Sequence, residues 1–177
     1  QDERRGAART GDAVSDTATL AITLADYRDA RDAAEVVALL DAYARDPMGG
    51  GEPLRDDVKA RLAGDLAANR QAFSLIARID ERAVGLANCF MGYSTFAAAP
   101  LVNIHDLAVL PDLRGKGVGK ALLQAVEAEA LKRGACKITL EVLSGNPARH
   151  LYAREGYGDY QLDPATGHAL FWQKRLK

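Results

Sequence analysis

The residues best suited to chemistry lie in one short segment, PDLRGKGVGK, which runs from Pro111 to Lys120. Glycines leave the backbone uncovered, so an anion can approach its amide groups closely. The segment lies between a strand-like run and a helix-like run, and amides at a helix start favour phosphate groups. We therefore predict a site for a diphosphate, built from Gly115, Gly117 and Gly119 and the cations Arg114, Lys116 and Lys120.

Two other phosphate-binding motifs do not fit this segment. A P-loop ending at Gly119 and Lys120 needs glycine where Arg114 stands and a hydroxyl residue where Ala121 stands. A dinucleotide-binding fingerprint needs a further glycine at a position that holds Lys120 or Leu122. A plain helix-capping turn remains as an alternative, but it gives no reason for the clustered glycines and cations.

The segment resembles the signature of the GNAT acetyltransferases. That signature is Arg or Gln, two residues, Gly, one residue, then Gly or Ala, and Arg114, Gly117 and Gly119 match it. The likeness extends through LAVLPDLRGKGVGKALL and through NPARHLYAREGY, which ends at Tyr157. The resemblance implies an N-acetyltransferase that moves an acetyl group from acetyl-CoA directly to a primary amine and uses no metal ion.

The resemblance also implies which residues hold acetyl-CoA. Amides of the glycine turn would bind its pyrophosphate, and the strand before the turn would pair with its pantetheine arm. Asn146 would hydrogen-bond to that arm or cap a helix, and Tyr152 would protonate the departing thiolate. The implied coenzyme contacts are Leu107, Ala108, Val109, Arg114, Gly115, Lys116, Gly117, Val118, Gly119, Lys120, Asn146 and Tyr152.

The strand before the turn shows a break in its alternation. Its apolar side chains fall at positions 102 and 104 and then at 107 and 109, so the parity changes between the two pairs. A β-bulge around His105 and Asp106 would return both pairs to one face of the sheet. We expect this strand to splay from the next one, at 137–143, and to open a cleft.

Acetyl transfer to an amine requires a group that accepts a proton, since an alkyl amine with a pKa of about 10.4 is almost fully protonated at pH 7. The candidates near the expected bulge are His105, Asp106 and, on the next strand, Glu141. A positioned general base typically contributes about 10² to 10⁴ in rate. The sequence does not choose among the three, and a chain of water molecules is a further alternative.

The elements that position these residues follow from hydrophobic periodicity. Helices are predicted around 33–45, 58–66, 117–133 and 147–155, and strands at 18–24, 72–79, 83–93, 101–110 and 137–143. The runs 72–79 and 83–93 are separated only by Asp80, Glu81 and Arg82, which predicts a tight hairpin. A closing hairpin is predicted from 158–162 and 169–175. The predicted fold class is mixed α/β, with a central twisted mixed sheet of six to seven strands, splayed between two parallel strands, and helices on both faces.

Length and composition fit one domain, since 177 residues with 48% apolar side chains can bury a sizeable core. Residues 1–16 are charged and without periodicity, so we predict that they form a loose tail or are the remnant of a longer N-terminal segment. A single domain is predicted over 17–177. With 23 basic and 24 acidic side chains, the net charge gives no reason to expect nucleic acid or a membrane as partner. Cys89 and Cys136 lack metal-ligand spacing and favour a reducing, cytoplasmic location.

The sequence does not name the acceptor amine. The loop 46–53, DPMGGGEP, either borders the substrate site or only joins two helices. A small amine or polyamine is the favoured acceptor. The alternatives are a protein lysine or N-terminal acetyltransferase and a non-catalytic acyl-CoA sensor. Because proteins of the resembling family often pair, a homodimer is expected.

Overall fold

The central element is a single sheet, which the computed structural model shows within its described residues, 18–176. The predicted tail at 1–16 lies outside these residues. Five strands pair in chain order, the first four antiparallel and the last two parallel. They are β1 (Leu20–Leu24), β2 (Ala72–Ile79), β3 (Arg82–Ser94), β4 (Ala99–Val109) and β5 (Ile138–Leu140).

Helices cover both faces of the sheet, as predicted. They are α1 (Ala30–Arg45), α2 (Asp56–Ala68), α3 (Val118–Lys132) and α4 (Arg149–Arg154). On one face, α1 and α2 bury apolar side chains such as Val36 and Leu66 against Ile76 of β2. On the other face, α3 buries Leu122 and Val126. The sheet therefore separates two apolar cores, and a residue's parity on its strand decides which core it faces.

The hairpin predicted between β2 and β3 is present. It turns at Asp80 and Glu81, whose φ angles are positive, at 46° and 68°. This region is unfavourable for residues other than glycine. Arg31 of α1 holds the turn, because its guanidinium donates to the Glu81 carbonyl at 2.6 Å and pairs with the Glu81 carboxylate at 2.8 Å.

The predicted closing hairpin does not form. Segments 158–162 and 169–175 contain no strand, and β5 ends at Leu140 rather than at Leu143. Leu162 and Phe171 are 74% and 78% exposed, so the apolar residues of these segments mark no buried face. Apolar and aromatic residues indicate that a segment suits a sheet, but a strand also needs a neighbour to pair with. The short β5 provides little edge, and the sheet has five strands rather than six or seven.

A partly buried ion cluster fastens α1 to the sheet. Arg78 of β2 is 11% exposed and donates to the Asp32 carboxylate at 2.6 Å and, through Nε, to the Glu35 carboxylate at 2.8 Å. Its other guanidinium nitrogen donates to the hydroxyl of Thr23 on β1 at 2.9 Å. A single side chain thus links β1, β2 and α1.

We predict that Arg78→Met lowers the free energy of unfolding by about 2–3 kcal/mol, because Asp32 loses its counter-charge in a partly buried place. Urea unfolding would measure the loss. Arg82→Met is the matched control, since the Arg82–Asp112 pair is 59% and 56% exposed and should contribute less than about 0.5 kcal/mol. Equal losses in the two variants would contradict a structural role for the cluster.

Candidate functional site

The glycine segment forms the turn that starts α3, as predicted. Gly117 is the residue before the helix and has a φ of 85°, and Gly115 has a φ of 74°. A Cβ atom at either position would meet nothing within 4 Å, so the need for glycine there is conformational rather than steric. The open surface of this turn is accessible to a ligand.

The amides of this turn make no hydrogen bonds within the part of the chain that the structure describes. Ala121 donates to the Gly117 carbonyl at 3.0 Å, but the amides of residues 115–120 find no acceptor among residues 18–176. Lys116 and Lys120 are exposed beside them. A row of free donors at the positive end of a 15-residue helix fits the charge and geometry of a diphosphate.

Arg114 is engaged within the protein. Its Nε donates to the Val109 carbonyl at 3.1 Å, and a terminal nitrogen donates to the Asp46 carboxylate at 2.7 Å. Asp46 also accepts the Met48 amide at 2.9 Å. That amide, and then Arg114, lower the pKa of Asp46. The pair connects the loop after α1 to the glycine turn.

The predicted bulge is confirmed in β4. Asn88 of β3 pairs with Asp106, and the next residue, Cys89, pairs with Ile104, so that His105 is the extra residue. The apolar pairs at 102 and 104 and at 107 and 109 consequently all pack on the α3 side. His105 and Asp106 both face the α1 and α2 side, where each lines the same cavity.

The open edge of β4 begins at the bulge. β5 pairs with β4 only from Val102 to Ile104, whereas β4 continues to Val109 with no further partner on that side among the described strands. The Leu110 amide donates to the Val84 carbonyl at 2.9 Å. By alternation, the backbone groups of Leu107 and Val109 point away from β3, and those of Ala108 point toward it.

A cavity of about 300 Å³ lies over β3 and β4, between α1, α2 and the loop that joins them. Its polar groups come from Asn88, His105, Asp106 and the hydroxyl of Tyr43. Its walls are apolar, and they include Leu40, Tyr43, Leu54, Leu62, Leu66 and Phe90. The loop 46–53 therefore borders a site in addition to joining two helices, because Gly49 also lines this cavity.

A chain of polar side chains holds the Asp106 carboxylate. Its Oδ2 accepts from Asn88 Nδ2 at 3.1 Å, and Asn88 Oδ1 accepts from Ser74 Oγ at 2.5 Å. Ser74 Oγ lies 2.7 Å from the hydroxyl of Tyr27. Asn88 and Ser74 are buried. Sequence reasoning missed Asn88, because only the strand register shows that it lies opposite Asp106.

Tyr43 lines the same cavity as this carboxylate, whereas Tyr152 does not line it and packs against the α3-side core. Burial raises the pKa of Tyr43, and Asp106 adds to the effect. Burial also raises the pKa of Tyr152 to about 12, with a smaller contribution from Tyr43. Tyr152 therefore retains its proton across the physiological pH range. Tyr43 was missed in the sequence because its helical spacing made it one more apolar position of α1.

The other predicted site residues lie further from the cavity or have structural contacts. Glu141 is exposed, does not line the cavity, and accepts from Asn103 Nδ2 at 3.3 Å. Asn146 Oδ1 accepts the Ala148 amide at 2.9 Å, which closes a local turn before α4. The residue that precedes α4 is Ala148, and no side chain caps that helix, so Asn146 does not have the helix-capping role considered for it. The ring of His105 contacts Phe90 edge-on, with 5.5 Å between ring centroids.

Two further properties concern the whole described part of the chain. No group of three or more His, Cys, Asp or Glu residues in 18–176 is arranged to hold a metal ion. In the same residues, every helix is too short or too polar to cross a membrane.

Comparison with known proteins agrees with this geometry. The acetyltransferase (GNAT) family matches residues 36–157, and the chain belongs to that family. An uncharacterised N-acetyltransferase of Bacillus subtilis, YhfO, is 30% identical over 132 residues, which cover 71% of this chain and 83% of that protein. Streptothricin acetyltransferase of Streptomyces lavendulae is 42% identical over 65 residues, which cover 36% of this chain and 34% of that enzyme.

Solved structures share the fold. A ribosomal-protein-alanine N-acetyltransferase from Brucella melitensis biovar Abortus has a TM-score of 0.62 and 25% identity, covering 82% of this chain and 99% of that one. An aminoglycoside acetyltransferase from an uncultured soil metagenomic sample, in complex with sisomicin, has a TM-score of 0.70 and 18% identity. That match covers 89% of this chain and 97% of the other. The mixed sheet with helices on both faces is thus a GNAT fold.

The raised pKa of Tyr152 gives a spectroscopic prediction. Phenolate absorbance near 295 nm is followed from pH 8 to pH 12.5, and the curve of Tyr152→Phe is subtracted from that of the unmodified protein. The difference should stay flat through pH 10, where free tyrosine is half ionised, and rise only toward pH 12. A difference centred at pH 10 would show that the Tyr152 phenol is solvated.

Proposed function

We propose that this protein is an N-acetyltransferase that moves an acetyl group from acetyl-CoA to a primary amine of a small molecule or polyamine. The observation that best supports this proposal is the position of the open edge of β4. This edge runs from the cavity that Asp106 lines toward the free amides of residues 115–120. One end suits a diphosphate, and the other end suits an ammonium group. Membership of the GNAT family, which uses acetyl-CoA, supports the assignment.

The proposed coenzyme site follows β4 and the turn. The amides of residues 115–120 would hold the pyrophosphate, with Lys116 and Lys120 adding charge. The outward backbone groups of Leu107 and the outward amide of Val109 would pair with the pantetheine arm, since the Val109 carbonyl accepts from Arg114. Asn146 would lie beside the arm. When bound, acetyl-CoA supplies the acetyl group as a thioester, so the protein itself needs no covalent nucleophile.

Two side chains would move protons in this reaction. As the bond from nitrogen to the acetyl carbon forms and the carbon–sulfur bond breaks, Asp106 would accept a proton from the amine. Tyr152 would donate its phenolic proton to the departing sulfur. We choose Asp106 over Glu141 because Asp106 lines the cavity and is oriented by Asn88. His105, beside it, also lines the cavity.

The proposed proton donor is tested by Tyr152→Phe. We expect kcat to fall by about 10²-fold or more, because the thiolate would leave without a proton from the protein. The dissociation constant for coenzyme A, from calorimetry, should change by less than about threefold, because the ring is retained. The assay is release of free thiol from acetyl-CoA with saturating amine. Unchanged turnover would remove Tyr152 from the mechanism, and absence of transfer to any amine in the unmodified protein would favour an acyl-CoA sensor.

The pairing of Arg114 with Asp46 gives a prediction for coenzyme binding. In Asp46→Asn the amide oxygen can still accept from Met48, but the carboxylate that holds Arg114 is gone. Arg114 becomes available to the pyrophosphate, so coenzyme A should bind about two- to fivefold more tightly at low salt. Calorimetry at two salt concentrations would measure this, since a charge effect weakens with ionic strength. Weaker binding would show instead that the pair positions the turn.

The relatives agree with an amine acceptor but differ in which amine they use. The names of three of them specify an aminoglycoside, streptothricin and the alanine of a ribosomal protein. We further propose a cytoplasmic location, supported by the free thiols of Cys89 and Cys136. A homodimer remains an expectation from the family resemblance.

A further inference from the structure

The charge distribution of the cavity limits which amines it can hold. Among the described residues that line it, Asp106 is the single carboxylate. Two aspartates at the edge of the same region already have partners. Asp41 pairs with Arg45 at 3.0 Å and accepts the Leu54 amide at 2.8 Å, and Asp46 pairs with Arg114. The cavity therefore offers one anionic position for a cation.

Apart from Asn88, His105 and the hydroxyl of Tyr43, the other side chains that line the cavity with this carboxylate form an apolar wall. Leu54, Leu62 and Leu66 come from α2 and the loop before it, and Phe90 comes from β3. Leu66 is buried, and Leu54 and Leu62 are half-buried. A second ammonium group placed against this wall would lose its hydration without gaining a counter-charge, which is strongly unfavourable. An alkyl or aryl group there would instead be stabilised by burial.

The size of the cavity also favours a small acceptor. Its volume is about 300 Å³. It lies at the small end of the range for ligand pockets, roughly 300–1,000 Å³. An amine with about six to twelve non-hydrogen atoms fills such a space, whereas the linked rings of an aminoglycoside would extend beyond it into solvent.

From these features we infer that the acceptor is a small primary amine with one positive charge and an apolar carbon body. The ammonium lies at Asp106, and the carbon body packs against Leu54, Leu62 and Phe90. This inference rests on the proposed acetyl transfer. It narrows the range of acceptors, because polyamines and aminoglycosides are no longer among the preferred substrates.

The test compares 3-methylbutylamine with 1,4-diaminobutane. Both have six non-hydrogen atoms, and they differ mainly in whether the far end is methyl groups or an ammonium group. With saturating acetyl-CoA, kcat/KM from thiol release should be at least about tenfold higher for 3-methylbutylamine. 2-Phenylethylamine should also be a substrate, and the aminoglycoside kanamycin should be poor. A parallel calorimetric titration of the two six-atom amines into protein saturated with coenzyme A gives a readout independent of turnover.

A matched pair of variants tests the wall directly. Leu54 lies in the loop before α2, where a polar side chain is tolerated more readily than in the core. Leu54→Glu supplies a second carboxylate and should shift the kcat/KM ratio of the two amines at least about tenfold toward 1,4-diaminobutane. Leu54→Gln has nearly the same shape without the charge. It should weaken 3-methylbutylamine without improving the diamine.

The outcomes separate the inference from the proposed function. Preferred acetylation of 1,4-diaminobutane or kanamycin by the unmodified protein overturns the inference and leaves acetyl transfer in place. An equal shift in both Leu54 variants also overturns it, because charge would then not decide the preference. If no amine is acetylated, the proposed function fails, and the calorimetric preference between the two amines still decides what the cavity binds.

Discussion

The cavity and the open strand edge both depend on His105, the extra residue that β4 carries opposite Asn88 and Cys89. Without it, strict alternation would place the apolar residues before and after this point on opposite faces of the sheet. With it, the α3 core stays continuous and two consecutive polar residues face the other side. The bulge also lies next to Ile104, the last residue of β4 that pairs with β5. Local backbone geometry thus creates a polar position and an unpaired edge in one place.

The contacts around the bulge link regions that are distant in the chain. Asp106 is held through Asn88 and Ser74 to Tyr27, which precedes α1. Arg114, at the glycine turn, reaches the loop between α1 and α2 through Asp46. The first helical region of the chain therefore contacts both ends of the proposed reaction path. This arrangement explains how a segment without a recognisable motif contributes to the site.

Prediction from the sequence succeeded where a local pattern has a local cause. The glycine turn and the bulge are such cases, because glycine placement and alternation reflect backbone conformation directly. The hairpin at Asp80 is another, because charged residues separate two apolar runs there. It failed for segments 158–162 and 169–175, where apolar residues flank a turn-like segment but no strand pairing followed. Tyr43 and Asn88 could not be found either, since their roles depend on side chains that lie far away in sequence. The predicted coenzyme contacts themselves remain predictions.

Gly49 restricts how the loop that lines the cavity can change during evolution. A Cβ atom at this position would lie 2.0 Å from the carbonyl oxygen of Tyr43, so any side chain would force the loop away from the end of α1. At Leu54, by contrast, the side chain itself forms part of the wall. The mutational routes to a new acceptor therefore pass through the wall residues, while Gly49 keeps the backbone of the loop against α1.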